Sequence, residues 1–153
     1  MSDTTNAPRP PEGDWLGTPY LRFERRGSVA VVTVDRPAAR NSMTPAMYFG
    51  VRYAIDHVGR EANLSGLLIT GTGDYFSAGG NLVEWLETHV NNPVTRRAGM
   101  RDARRIVRDM IDFPLPVVAA GNGPAVGFGC SIAVLCDIVL VSDGHYDHLD
   151  LAT

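Results

Sequence analysis

Lysine is missing from this chain, and cysteine is scarce. All 14 basic residues are arginine, and the formal net charge of the 153 residues is −3. Such a nearly balanced, slightly acidic chain has no general tendency to bind nucleic acid or anionic membranes. The two cysteines, Cys130 and Cys136, lie in apolar runs at a spacing that matches no zinc or redox motif. We therefore predict two small buried thiols and no metal site.

Long apolar stretches and targeting signals are also missing. No apolar run reaches the ~20 residues that a membrane-spanning helix needs. The chain does not open with a charged segment followed by an apolar one, as a secretory signal would. These features predict a cytoplasmic protein with no membrane partner. Apolar residues make up 44% of the chain, which is enough to form the core of about one domain.

Composition divides the chain into three parts. Residues 1–18 are rich in proline and poor in aliphatic side chains, which predicts a flexible leader. Residues 19–142 form the predicted core. Residues 143–153 are polar and contain His145, His148 and three aspartates. These side chains are metal ligands by type, but a mobile polar terminus is the favoured interpretation.

Strand and helix patterns alternate through the core. Residues 20–26 alternate and residues 28–34 are rich in valine, so a β-hairpin with its turn at Gly27 is predicted. Thr44 and Pro45 are typical of a helix start, and apolar residues at helical spacing extend that helix to Gly59. Further strands are predicted at 66–70, 117–120 and 137–141, and helices from about 81, over 93–111 and over 130–135. This order predicts an α/β fold with largely parallel strands.

The helix predicted over 93–111 has two contrasting faces. Arginines occupy most of one side, at positions 97, 101, 104, 105 and 108, and a solvated face is favoured for them over a phosphate site. The opposite side is apolar and is predicted to face the core. It comprises Met100, Ala103, Ile106, Val107, Met110 and Ile111.

Two loops of similar design carry the chemical information. The first, GTGDYFSAGGN, follows the strand GLLIT, and the second, GNGPAVGFG, follows PVVAA; each leads into a helix. Glycine lets a backbone approach a ligand closely, and a helix start leaves backbone N–H groups unpaired. The pattern is consistent with an oxyanion site, a phosphate cradle or tight packing alone. Neither loop has the dinucleotide fingerprint GxGxxG with its acidic partner, nor the phosphate-loop sequence GK[ST].

Three motifs in order resemble the N-terminal portion of the crotonase superfamily, the enoyl-CoA hydratases and isomerases. They are Asp35-Arg36-Pro37 with Asn41, YFSAGGNL at 75–82, and PLPVVAAGNGPAVGFGCSIAVLCDIVLVS at 114–142. The resemblance covers residues 20–142 and implies a spiral of ββα units around a deep acyl-CoA site. It also implies hydratase (lyase) or isomerase chemistry of fatty acid metabolism, with coenzyme A as part of the substrate and no separate cofactor.

The resemblance also implies roles for individual residues. Two backbone amides, those of Gly80 and Phe128, would form the oxyanion hole that polarises the thioester carbonyl and holds the enolate. The coenzyme A moiety would contact two segments of the chain. For Arg36 and Arg40 a phosphate contact and ordinary loop solvation are equally supported. The predicted coenzyme A contacts are Arg36, Ala38, Arg40, Ala78 and Gly79.

Two departures from the family pattern limit what the resemblance implies. Ser131 stands where hydratases of the family carry a catalytic glutamate, and a serine cannot serve as a carboxylate base near neutral pH. Residues 143–153 do not resemble the family's next segment, so a premature end or a shifted frame is expected. The usual homotrimer or hexamer is therefore doubtful. The alternative hypothesis is a truncated, non-catalytic fragment that binds acyl-CoA weakly or acts as an interaction unit.

Overall fold

The computed structural model of the chain describes residues 15–89 and 93–142. Most of the predicted leader and the whole predicted tail, including its histidines, lie outside the described residues. Residues 15–18 of the predicted leader pack on the core, because Leu16 and Thr18 are buried. The Trp15 ring lies edge-on to Phe23 with its centroid 5.0 Å away.

A β-hairpin opens the sheet, as the sequence predicts. Strand β1 (Leu21–Arg26) pairs antiparallel with strand β2 (Val29–Val34), and Arg26 lies opposite Val29. The turn between them has two residues, and Gly27 takes a φ of +62°, which favours glycine. Residues 30–34 of β2 are all buried, which accounts for the continuous apolar run in the sequence.

Three parallel strands complete the sheet. They are β3 (Gly66–Gly71), β4 (Val117–Gly121) and β5 (Ile138–Val141), and the strand order is β1-β2-β3-β4-β5. Every pairing after the hairpin is parallel, which confirms the α/β prediction. All four residues of the edge strand β5 are exposed, whereas β3 and β4 carry buried side chains.

The helix after the hairpin has the predicted start and the predicted core face. Helix α1 (Pro45–Arg60) has Pro45 at its first position, and the Thr44 hydroxyl accepts a hydrogen bond from Met47 N at 3.4 Å. The side chains that it buries include all five predicted ones: Met47, Val51, Ala54, Ile55 and Val58. A short helix, α2 (Leu82–His89), follows the first glycine-rich loop.

Helix α3 (Pro93–Ile111) keeps only part of its predicted apolar face in the core. Ile106 and Met110 are buried, but Met100 is 55% exposed and Ile111 is 65% exposed, so the prediction is wrong for these two. The reason is that α3 packs on α1 mainly near the C-terminal end of α3. There Asp109 of α3 forms an ion pair with Arg52 of α1 at 2.6 Å. The five arginines on its other side are all exposed, as predicted.

The last helix begins earlier than predicted. Helix α4 (Phe128–Leu135) starts at Phe128 and not at Cys130, directly after Gly127 with its φ of +54°. Cys136, which follows the helix, is buried, and its thiol donates to Ile132 O at 3.3 Å. Cys130 is only half-buried, because it lies on the first turn of α4 beside the loop. The prediction of two buried thiols is therefore correct for Cys136 alone.

Two kinds of feature are absent from residues 15–89 and 93–142. No helix there is long and apolar enough to cross a membrane. No three histidine, cysteine, aspartate or glutamate side chains in that part of the chain come together as a metal site would need.

Burial of Cys136 predicts a loss of stability in alkali. Desolvation, reinforced by the charge of Asp137, raises the pKa of the Cys136 thiol from 9.0 to about 12. The thiol's contribution to stability is fully present below pH ~9 and is lost as pH rises towards ~12, because only the unfolded chain ionises there. Melting temperatures measured between pH 8 and pH 11 should fall more steeply in the wild type than in Cys136→Ala. Parallel curves would contradict the prediction.

Candidate functional site

The two glycine-rich loops lie side by side because they leave neighbouring parallel strands at the same edge of the sheet. The first loop follows β3 and the second follows β4. Main-chain hydrogen bonds join them: Phe76 N donates to Pro124 O at 3.1 Å, and Val126 N donates to Ser77 O at 2.9 Å. Ser77 is buried at this junction. The loops therefore form one unit.

Glycine is required where the loops meet. Gly79 has a φ of +82°, and a Cβ there would lie 2.6 Å from Val126 O. A Cβ on Gly129 would lie 2.6 Å from Ser77 O. Neither approach leaves room for a side chain. Tight packing thus accounts for these two glycines.

Asn41 fastens the first loop to the segment after β2. Its side chain is completely buried, with a relative exposure of 0%. Its Oδ1 accepts from Arg36 N at 2.9 Å, and its Nδ2 donates to Thr72 O at 2.8 Å and to Tyr75 O at 2.6 Å. The sequence motif contained Asn41, but the motif did not reveal this bracing role.

Asn122 braces the same loop from the other side, and sequence reasoning missed it. Its Oδ1 accepts from Gly71 N at 3.0 Å, and its Nδ2 donates to Gly73 O at 2.7 Å. An asparagine that directly follows a buried strand is the signal that could have suggested it, since its amide can satisfy the turning backbone.

The amides of Gly80 and Phe128, predicted as oxyanion donors, lie close together. Met43 N donates to Gly79 O at 2.7 Å, and Met43 O accepts from Asn81 N at 2.9 Å. Because Gly80 lies between these two bonded residues, its own N–H points away from Met43. Phe128 is the first residue of α4, where an N–H has no acceptor within the helix. A Cβ on Gly79 would lie 3.2 Å from Phe128 N, and the nitrogen of Gly80 is two bonds from the Cα of Gly79. The two amide nitrogens are therefore neighbours.

Neither of these two amides has a hydrogen-bond acceptor within the described part of the chain. By contrast, Gly79 N donates to Ser77 Oγ at 3.1 Å. Ala78 N donates to Arg40 O at 2.9 Å. The loop therefore uses its earlier amides to hold itself and leaves the amide of Gly80 unpaired.

The predicted coenzyme A contacts lie on two adjoining segments. Residues Pro37–Ala39 form a 3-10 turn that presents Ala38 to solvent, and the bond from Ala78 N to Arg40 O joins that turn to the first loop. Arg40 is exposed, and its guanidinium lies 5.5 Å from the centre of the Tyr75 ring. Arg36 is more engaged, because its Nη1 donates to Ser42 O at 3.1 Å and it lies over Tyr20.

Ser131 lies on the first turn of α4 and bonds back to the loop. Its hydroxyl donates to Gly127 O at 3.3 Å. A hydroxyl held in this way cannot replace a carboxylate base, but it helps to hold the carbonyl that precedes Phe128. Glu84, on α2, accepts a hydrogen bond from Asn81 Nδ2 at 3.1 Å.

Contact between the loops predicts different costs for two glycine substitutions. Gly79→Ala and Gly27→Ala both place a Cβ at positive φ, which costs ~1–3 kcal/mol. Only Gly79→Ala also drives the Cβ into the second loop, which adds ~1–3 kcal/mol. The free energy of unfolding from urea titration should fall further for Gly79→Ala. Equal losses would mean that the loops are not packed as described.

Comparison with known proteins supports the resemblance seen in the motifs. The family model for enoyl-CoA hydratase/isomerase matches residues 24–145. The short-chain-enoyl-CoA hydratase of Clostridium acetobutylicum is 34% identical over 121 residues, which is 78% of this chain and 45% of that protein. Enoyl-CoA delta isomerase 2 of Rattus norvegicus is 32% identical over 117 residues, which is 76% of this chain and 30% of that protein.

A solved structure has the same fold. The crystal structure of an enoyl-CoA hydratase/isomerase from Mycobacterium paratuberculosis superposes with a TM-score of 0.76 and 33% sequence identity, covering 82% of this chain and 50% of that one. The chain thus spans about half the length of that structure, and less than half the length of the two relatives above. This similarity confirms the predicted crotonase fold class. On the match over residues 24–145, the chain belongs to the enoyl-CoA hydratase/isomerase family.

Proposed function

We propose that the chain binds an acyl-CoA thioester and stabilises its enolate with the backbone amides of Gly80 and Phe128. The observation that carries this proposal is the pair of unpaired amides on two loops that brace each other. Donors fixed in advance do not have to reorganise when charge develops on the thioester oxygen. Removal of one such donor costs ~2.7–4 kcal/mol of transition-state stabilisation in comparable sites.

The coenzyme A moiety lies along the turn at Pro37–Ala39 and the adjoining first loop. Arg40 is the better phosphate ligand of the two arginines, since its guanidinium is exposed and makes only a ring contact. Arg36 already donates to Ser42 and so serves mainly to hold the turn. Coenzyme A can contact the backbone where side chains are small, as they are at Ala38, Ala78 and Gly79. Coenzyme A enters as part of the substrate, and no other cofactor is required.

The substrate class is an enoyl-CoA or related fatty acyl-CoA. Relatives named as a short-chain-enoyl-CoA hydratase and an enoyl-CoA delta isomerase support this choice. Isomerisation and hydration both pass through a thioester enolate, so one oxyanion hole serves either reaction. Ser131 weighs against hydration, because water addition needs a base that a serine does not supply near neutral pH.

Assembly is proposed to involve the apolar edge of the sheet. Ile138, Val139, Leu140 and Val141 of β5 are between 44% and 57% exposed, which is unusual for an apolar strand. Such an edge favours association with further polypeptide over a free monomer.

Phe128→Pro tests the oxyanion hole with little disturbance of the helix. Proline deletes the N–H of Phe128 but is well tolerated at the first position of a helix, where Phe128 lies. Phe128→Ala is the matched control, because it removes the ring and keeps the amide. Calorimetry with an acyl-CoA should show binding by the wild type, and the loss of affinity should be larger in Phe128→Pro than in Phe128→Ala. Equal affinity of Phe128→Pro and wild type, with native circular dichroism, would exclude this amide as a donor.

Turnover of crotonyl-CoA tests a second candidate function. The second candidate is a non-catalytic fragment that binds acyl-CoA, and the observation favouring it is the Ser131 hydroxyl bonded to Gly127 O. We expect the chain to bind crotonyl-CoA without hydrating it at a rate typical of a hydratase. Full hydratase turnover, followed by loss of the enoyl absorbance, would rule out the non-catalytic candidate. A folded chain that does not bind at all would remove both.

A further inference from the structure

Tyr48 is one side chain that contacts both residues whose amides are the proposed donors. It lies on the first turns of α1, outside both glycine-rich loops. Its hydroxyl oxygen is 3.1 Å from the position that a Cβ on Gly80 would take. Its ring meets the Phe128 ring edge-on, with centroids 5.2 Å apart and an interplanar angle of 85°. Helix α1 thus brings a phenol to the junction of the two loops.

The Tyr48 hydroxyl has no protein partner there. Within residues 15–89 and 93–142 no group hydrogen-bonds it, although Tyr48 is half-buried. No buried side-chain oxygen or nitrogen of that part of the chain lacks a partner, so the hydroxyl must border accessible space. Packing on Phe128 explains the ring but not the hydroxyl, since a phenylalanine would pack equally well.

The protonation state of Tyr48 makes it a donor. Burial raises the pKa of the Tyr48 phenol above its ordinary value of 10.0. The hydroxyl is therefore protonated at neutral pH and can donate to an anionic or partly negative oxygen.

We propose that Tyr48 is a third hydrogen-bond donor of this site and that its hydroxyl binds the thioester oxygen beside the Gly80 amide. This inference rests on the proposed function. An oxygen that accepts from Gly80 N lies ~2.9 Å from that nitrogen. The hydroxyl lies 3.1 Å from the Cβ position of the same residue, so both donors border the same space. Tyr48 keeps its proton, so it stabilises the enolate oxygen and does not act as the base.

Infrared spectroscopy of a bound thioester provides a direct test. The probe is an acyl-CoA with a ¹³C-labelled thioester carbonyl, bound to the full chain. Donors that polarise this carbonyl lower its stretching frequency, so the wild type should show a downward shift on binding. Tyr48→Phe keeps the ring and removes only the hydroxyl, and it should lose part of that shift. Its affinity should fall about two- to tenfold, the loss typical of one hydrogen bond.

Tyr53→Phe is the matched control. It removes a hydroxyl from the same helix five residues later, which helix geometry turns ~140° away from Tyr48. Tyr53→Phe should keep the full shift, and Tyr48→Phe should melt at the wild-type temperature. Gly80→Ala supplies a second variant, because its Cβ crowds the Tyr48 hydroxyl while the Gly80 amide remains. The shift of the carbonyl frequency in Gly80→Ala should therefore also be smaller than in the wild type.

The outcomes separate this inference from the proposed function. Failure of the wild type to bind, or binding without a shift, would overturn the proposed function and this inference together. A wild-type shift that is lost in Phe128→Pro but fully retained in Tyr48→Phe would overturn the role of Tyr48 alone. Loss of the shift in Tyr48→Phe with unchanged melting temperature supports it, since a purely structural role would change stability and not carbonyl polarisation.

Discussion

The main-chain contact between the two glycine-rich loops is the constraint on which the site depends. Strands β3 and β4 pair in parallel, so their following loops leave the sheet in the same direction. The bond from Val126 N to Ser77 O then fixes one loop against the other. This approach is possible only because Gly79 and Gly129 have no side chains. The separation between the Gly80 and Phe128 amides is therefore set by backbone alone.

Hydrogen bonding inside the first loop decides which amide is left for a ligand. The Ser77 hydroxyl donates to Asn41 O at 2.9 Å and accepts from Gly79 N at 3.1 Å. Asn41 in turn holds the carbonyls of Thr72 and Tyr75. The amide of Gly80 is the next along the chain and has no acceptor among the described residues. Buried polar side chains thus rigidify the loop and leave a single donor facing outward.

Local sequence signals were sufficient for most of the secondary structure. The turn at Gly27, the cap formed by Thr44 and Pro45, and the apolar runs of β3 and β4 each act over a few residues. Periodicity failed for Met100 and Ile111 of α3, which are apolar but exposed. An apolar pattern shows which side of a helix could be buried, but the contact with α1 decides how much of that side of α3 is.

The sequence by itself determined the fold class, the order of the elements and the two loops, since turns, caps and periodicity are properties of neighbouring residues. It left three interpretations of the glycines open. Only the tertiary structure decided between packing and an available donor at each position, because the deciding contacts join residues about fifty positions apart, such as Ser77 and Val126. The position of Tyr48 beside both loops likewise depends on contacts between residues far apart in the chain. No local pattern encodes contacts that strand pairing and helix packing create.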